Sequence, residues 1–531
     1  MDTKLEKFVA EVGGCGQFQV FLSVAVYTIK IVASWSMMFM TFGTYNPGWT
    51  CEGPSENNTD VISGKGKTRN VTALSGTTSA STSIVYNLSS YEENVCQGLQ
   101  SCSDIRFEPE SSTIVTEWDL ICDRQWLGSL TISIQMVGVT IGSLVTGQMA
   151  ERFGRKSIMY LWVGLGVLLN GLAVFSVSWE MYVVFRFFIG ITVGGNLSTS
   201  QVYALEFVTG KWRMFLTGLP TWNLGSLLFG ICVFILKDWR HVHITATVVS
   251  FLAFLTVFWV PESLRWLAVH GKVKETRQVA QKICRQNGRP EPDPSAIDFT
   301  SCEGGKEDKN ATFRQLFVPS LRKKTIVGCA IYFLMAVMYY SIGFGIKSLY
   351  GDFYINFILF SAMAIPVAPL APILGHKLGR RWGSAVLMCV AGLISFAVVV
   401  VNFTASGSTR GHVITGLALA ISILLDHSWS ILIAFLAELF PTSVRLLGFS
   451  FVFTAARLGS IVSPFLIPRD FSILYVSYVV MGILAAICCL LILSLPETKD
   501  LGLEDTLQVA TVLKEETAVD EDSKPLREKR V

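Results

Sequence analysis

An all-α membrane protein of about twelve helices, arranged as two six-helix halves, is what the sequence predicts, and three observations carry the prediction. Apolar stretches long enough to cross a bilayer recur along the chain; a helix needs roughly 20 apolar residues to span ~30 Å of hydrocarbon. Charged residues make up 16% of the chain against 51% hydrophobic, at a mean hydropathy of +0.49, whereas soluble domains are nearer a quarter charged. Motifs of the first half also return in the second at a nearly constant offset. The net charge of +3 is too small to point to a nucleic-acid partner.

Spans are expected near 18–42, 127–149, 157–177, 181–205, 214–236, 243–260, 325–346, 353–374, 383–401, 412–435, 446–467 and 473–495. This divides the chain into a tail 1–17, a first half 18–260 with a long polar loop 44–125, a central loop 261–324, a second half 325–495 and a tail 496–531. The first span is too long for a signal h-region and is expected to act as an uncleaved insertion signal. Basic residues crowd one side of the membrane, at Lys272, Lys274, Arg277, Lys282, Arg285 and Arg289 and in the short loops at 152–156, 377–381 and 445. Positive charge marks the cytoplasmic side, so both termini are expected there. Lys237 and Arg240 are the exception, on the outer side beside Asp238.

The loop 44–125 then lies outside. It holds Cys51, Cys96, Cys102 and Cys122, which suggest two disulfides in one of three connectivities. It also holds three glycosylation acceptors at Asn57, Asn70 and Asn87. Together these favour an extracellular segment and a plasma-membrane location.

The internal repeat is specific. Gly147 to Lys156 (GQMAERFGRK) is echoed by Gly375 to Arg381 (GHKLGRR), Glu206 with Arg213 by Glu438 with Arg445, and Pro261-Glu262-Ser263 by Pro496-Glu497-Thr498. The first residues of these pairs stand 228, 232 and 235 apart. Near-equal offsets at equivalent spans mean an internal duplication. Two parallel six-helix halves are the plan of a major facilitator, with substrate between them near the midplane.

The same motifs resemble a particular family. Gly147 to Lys156 is similar to the major facilitator signature, with Glu151 in the acidic position. Ile114 to Cys122 (IVTEWDLIC), Pro261 to Leu267 (PESLRWL), Ala437 to Arg445 (AELFPTSVR) and Leu495 to Lys499 (LPETK) resemble signatures of the organic cation, organic anion and carnitine transporters, solute carrier family 22. The resemblance implies polyspecific transport of small organic ions. The charges Glu151, Arg152, Arg155, Lys156, Glu206, Arg213, Arg380, Arg381, Glu438 and Arg445 can pair with neighbouring helix ends and are expected to act as gate residues on the cytoplasmic face, topology control by positive charge alone being the alternative.

Charges inside an apolar span are costly and by default functional. Lys30 lies about twelve residues from either end of the first span, ~18 Å at 1.5 Å per residue, and is expected to face a central cavity. Arg457 sits at the middle of the eleventh span, and Asp426 and His427 lie near the middle of the tenth. A buried Arg457–Asp426 ion pair is one expectation, because pairing relieves desolvation; a substrate-binding role is the other. Asp426 with His427 also suggests a proton-linked pair, since His titrates near neutral pH. Against the family pattern, cation transporters resemble one another in an Asp where this chain has Arg457, and anion and carnitine transporters carry Arg there. Lys30 and Arg457 against Asp426 leave the site formally positive, which favours anions or zwitterions.

Aromatic residues within spans, Trp35, Tyr203, Trp222, Tyr339, Tyr340 and Trp429, are candidates for a polyspecific pocket, with Tyr339 and Tyr340 foremost beside Gly343 and Gly345. Gly138, Gly142, Gly190 and Gly194 have the spacing of close-packed helix seams. His241 and His243 read as a solvated pair in an outer loop. No phosphate-cradling loop, HExxH or Cys/His metal spacing is present, so no enzyme, cofactor or metal is expected. The expected activity is secondary-active or facilitative transport of a small organic ion by alternating access, favouring organic anions or carnitine-like zwitterions. An organic cation transporter anchored by Asp426 is the alternative, and a non-transporting sensor or receptor with the same fold is an alternative of another class. The expected partners are the organic ion and the lipid bilayer.

Overall fold

The computed structural model describes residues 8–12, 14, 16–52, 61–63, 104–107, 111–208, 219–290, 313–440, 444–467 and 474–498. Twelve helices correspond in order to the twelve expected spans. The first six are α1 Gln17–Gly43, α2 Trp126–Phe153, α3 Arg155–Ala173, α4 Trp179–Leu205, α5 Thr221–Leu236 and α6 Trp239–Phe254. The second six are α7 Pro319–Gly345, α8 Phe353–Val367, α9 Arg380–Thr404, α10 Gly407–Leu439, α11 Arg445–Val462 and α12 Leu474–Leu493. Ten are long and apolar enough to cross a membrane, and α5 and α8 are shorter apolar helices.

Local chemistry sets the ends. Ser178 caps α4, Asp238 caps α6 and Asp352 caps α8, each side-chain oxygen accepting from a first-turn backbone N–H. Asp238 starts α6 four residues before the expected boundary, which draws His243 into the bundle, where it is fully buried. The solvated pair is thereby divided, since His241 alone stays exposed, beside Asp238. The expected eighth span is interrupted: Pro366 and Pro369 end α8, and a separate helix follows at Leu370–Lys377.

The helices pack in two sets with the same plan. In the first half α1 lies against α4, α5 and α6 while α3 contacts α4 and α6; in the second α7 lies against α10, α11 and α12 while α9 contacts α10 and α12. The halves meet along α5 with α8, α2 with α11, and α1 with α7. In the α2–α4 seam a side chain at Gly138, Gly142, Gly190 or Gly194 would collide with the facing backbone, so these positions permit the close approach.

The loop after α1 forms a small antiparallel sheet that the sequence did not foreshadow: β1 (Trp49–Glu52) lies between β2 (Val61–Ser63) and β3 (Asp104–Phe107). The chain then clamps the α5–α6 turn, with Ser112 N–H donating to the Lys237 carbonyl and Trp239 N–H to that of Ser112. Glu117 accepts from Trp239 Nε1 at 2.7 Å and pairs with Arg240 at 2.6 Å. Cys122 is disulfide-bonded. Cys96, Cys102, Asn57, Asn70 and Asn87 lie outside the described residues, as does the side chain of Cys51.

Candidate functional site

Four charged or phenolic groups and one amide converge where α5, α7, α10 and α11 meet. Tyr339 and Tyr340 are consecutive on α7, their rings perpendicular at 5.4 Å. Tyr339 donates to Asp426 Oδ1 at 3.4 Å, and Asn223 on α5 donates to Asp426 Oδ2 at 3.1 Å, so the carboxylate joins the two halves. Arg457 on α11 donates to the Tyr340 hydroxyl at 3.3 Å. The expected Arg457–Asp426 ion pair is not formed: each ion is held by a neutral partner. Consecutive helical residues point about 100° apart, so the two tyrosines hold the opposite charges on separate sides of α7. Trp429 packs 5.7 Å from Tyr339.

His427 is buried one residue on, and it does a different job. Its Nδ1 lies 2.7 Å from the Ile423 carbonyl and its Nε2 lies 2.7 Å from the Val367 carbonyl. Val367 is the last residue of α8, whose carbonyl is freed where the helix breaks. The imidazole therefore ties α10 to the broken end of α8. Lys30 sits in the middle of α1, its ammonium 5.3 Å over the Tyr27 ring. Tyr203 is fully buried against Phe207 and donates to the Pro261 carbonyl, away from the central group.

The repeated motifs build the same network twice. In the first half Arg155 pairs with Glu151 at 2.7 Å and Glu206 at 3.3 Å and donates to the Ala150 carbonyl at 2.9 Å. Arg380 pairs with Glu438 at 3.2 Å and donates to the Gly375 carbonyl at 2.7 Å. Glu262 accepts the backbone N–H of Lys156 and of Ser263 at 2.9 Å; Glu497 accepts that of Arg380 at 2.9 Å, of Arg381 and of Thr498 at 3.0 Å. Gly154 and Gly379 carry φ of 101° and 93°, and a Cβ on either would press into the adjoining carboxylate. Burial pushes the Glu206 carboxyl above its ordinary range, and Arg155 opposes the shift. Arg152 is exposed, and the Arg381 side chain lies over Trp382. Arg213 falls outside the described residues, as does the side chain of Arg445.

The structure also brings forward ions that motif reading passes over. Arg186 on α4 is fully buried. It donates to the Tyr182 hydroxyl at 2.8 Å and to the Ser36 carbonyl at 3.2 Å, and stacks 4.2 Å over Phe39. Its Nη2 and the Nδ1 of neighbouring His243 lack partners among the described residues. The signal was present: an Arg inside an apolar span.

Two bundles of six helices in one repeated plan, with a carboxylate of one hydrogen-bonded to the other, are the arrangement of a membrane transporter. A sugar (and other) transporter family model matches residues 71–509. The organic cation/carnitine transporter 2 of Mus musculus is 30% identical over 410 residues, 75% of this chain and 71% of the relative. Solute carrier family 22 member 6-B of Xenopus laevis is 26% identical over 493 residues, 86% of each. Among solved structures, the inward-open xylose transporter of E. coli superposes with a TM-score of 0.60 at 16% identity, covering 92% of this chain and 99% of that one. The chain belongs to the sugar (and other) transporter family and, within the major facilitator superfamily, to solute carrier family 22.

Proposed function

We propose that this transporter carries small organic anions or carnitine-like zwitterions by alternating access, with the substrate held between Asp426 and Arg457. The observation that carries the reading is their separation: two opposite charges sit within the membrane, yet each rests on neutral partners. Ions held apart retain most of their desolvation cost, and a zwitterion with its ammonium toward Asp426 and its carboxylate toward Arg457 relieves both. Trp429 and Tyr339 supply flat faces for the substrate body. A relative named for organic cations and carnitine agrees with a substrate of mixed charge. Lys30 on α1 adds to the positive side of the balance.

On this reading the basic loops and both termini are cytoplasmic, the small sheet and the acceptors Asn57, Asn70 and Asn87 face outward, and the protein works at the plasma membrane. The gate residues brace the cytoplasmic ends of each half. The substrate gradient, exchange or a co-transported ion supplies the driving force.

Uptake of labelled anions, zwitterions and cations by cells expressing wild type, Arg457→Ala or Asp426→Ala tests the proposal. Loss of a buried charged contact costs about 3 kcal/mol or roughly 100-fold. Arg457→Ala is therefore expected to abolish carboxylate uptake at unchanged surface expression. Uptake of cations alone, lost in Asp426→Ala, refutes it in favour of a cation carrier. No uptake of any class by surface-expressed wild type points to a sensor.

A further inference from the structure

Two cations at the end opposite the basic loops have no part in the central site. Lys347 stands in the short turn Ile346–Ser348 that closes α7. Its ammonium donates to Thr44 Oγ1 at 2.6 Å and to the Thr44 carbonyl at 3.4 Å. Thr44 is the C-terminal cap of α1, so the contact bridges the halves and puts a cation on a helix C-terminus. Lys237, the left-handed residue that ends α5, lies 5.5 Å from the Tyr354 ring. Between the lysines runs an aromatic seam in which Tyr45 stacks on Phe353 at 4.4 Å and Tyr354 approaches Tyr45 and Phe42 at 6.4 and 6.5 Å.

Neither lysine pairs with a carboxylate among the described residues, whereas Arg240, three residues after Lys237, pairs with Glu117. Lys237 also stands on the side where positive charge is not expected. A neutral donor of Lys347's reach would hold Thr44 as well. In the closed seam the α1 C-terminus and the Tyr354 ring favour each charge, but no carboxylate among the described residues neutralises either.

We propose that Lys347 and Lys237 form a capture site for the carboxylate of an incoming substrate, uncovered when the seam parts. The site rests on the anion or zwitterion reading above and extends it to the outer mouth. Opening breaks the Lys347–Thr44 contact, so the motion that admits substrate also frees the ammonium. A carboxylate then displaces neutral oxygens, because charge-assisted hydrogen bonds are roughly twice as strong as neutral ones. Two like charges flanking one apolar mouth draw anions toward it, in a manner that salt weakens.

The test separates charge from latch. Thr44→Val removes the latch and keeps the ammonium, Lys347→Gln removes the charge and keeps a donor, and Lys347→Arg keeps the charge. Uptake kinetics of a labelled zwitterion bearing a carboxylate are measured for each, normalised to surface protein. Lys347→Gln is expected to raise KM about five-fold, as for a partly screened charge contact, and Lys347→Arg to restore it. Thr44→Val, which favours the uncovered site, is expected to lower KM or leave it in place and never to raise it. Adding Lys237→Gln to Lys347→Gln should raise KM further and flatten its dependence on ionic strength. A KM unchanged in Lys347→Gln, or matched by Thr44→Val, overturns the site and leaves a latch. Carboxylate uptake that needs Arg457 but ignores Lys347 overturns this site alone, whereas uptake of cations only sinks the underlying reading as well.

Discussion

Replacing Gly379 with alanine tests how the repeated loops are built. Gly379 holds φ 93° and ψ 165° just before α9, a region that only glycine occupies readily and that costs another residue about 1–3 kcal/mol. The new Cβ would stand 2.6 Å from Glu497 Oε2, so the carboxylate must shift. That carboxylate accepts three backbone N–H groups, from Arg380 at 2.9 Å, Thr498 at 3.0 Å and Arg381 at 3.2 Å. A hydrogen bond to a charged group contributes about 1.5–3 kcal/mol, and losing one brings the total to about 4 kcal/mol. Thermal unfolding of purified Gly379→Ala, Glu497→Ala and the double variant measures the parts. With Glu497 already shortened, the alanine should cost only its backbone strain, leaving a coupling of about 2 kcal/mol. Additive effects, within about 0.5 kcal/mol, would refute the carboxylate's role and leave backbone conformation as the whole requirement.

Gly190→Val drives its side chain into the α2 backbone at Gln135 and should abolish surface expression, whereas Gly147→Ala, with nothing within 4 Å, should be neutral or stabilising by up to about 1 kcal/mol; surface labelling distinguishes them. Arg186→Met loses donors to Tyr182 and Ser36, at about 1 kcal/mol each, but sheds the larger desolvation of an ion without a carboxylate. It should therefore unfold no earlier than wild type while transporting less, and a marked fall in Tm would make Arg186 a structural residue. His427→Phe leaves the Val367 carbonyl without its donor at the α8 break, and about 1–3 kcal/mol of stability should go with it in thermal unfolding.

The twelve spans were legible because apolar length is a local property, and the duplication was legible because its motifs are contiguous. Boundaries failed where one residue outweighed the pattern: Asp238 started α6 early and Pro366 with Pro369 broke the eighth span. The ions of the central group, Asp426 and Arg457, announced themselves by their cost in a membrane. Arg186 carries the same signal without a motif around it, and Lys347 stands at a span end, where a cation reads as an interfacial anchor. Partners were beyond reach. Asn223 meets Asp426 across 203 residues of sequence, and nothing periodic marks either as belonging to the other. Glu262 and Glu497 stood out as repeats, but their task of gathering backbone N–H groups exists only once the loops fold back.

The paired networks constrain how the transporter can switch. Arg155 with Glu206, and Arg380 with Glu438, lie wholly within one half. A contact that stays inside a rigid half contributes equally to every orientation of the halves, so it shifts no equilibrium between them. The contacts that do cross are others: Thr44 with Lys347, Ser129 and Ser133 with the Pro464 and Ile461 carbonyls, Asn223 with Asp426, and the aromatic seam. Most of these lie at the end away from the basic loops, so the structure is closed there. Variants should therefore fall into two groups. Arg155→Ala and Arg380→Ala should lower Tm with little change in the reactivity of a cysteine placed at the outer seam toward an impermeant thiol reagent. Ser133→Ala and Thr44→Val should leave Tm nearly unchanged and raise that reactivity, because the closed state loses a contact that the open state never had. Equal reactivity changes in both groups would mean that the intra-half pairs exchange partners during transport, and that the halves do not move as rigid bodies.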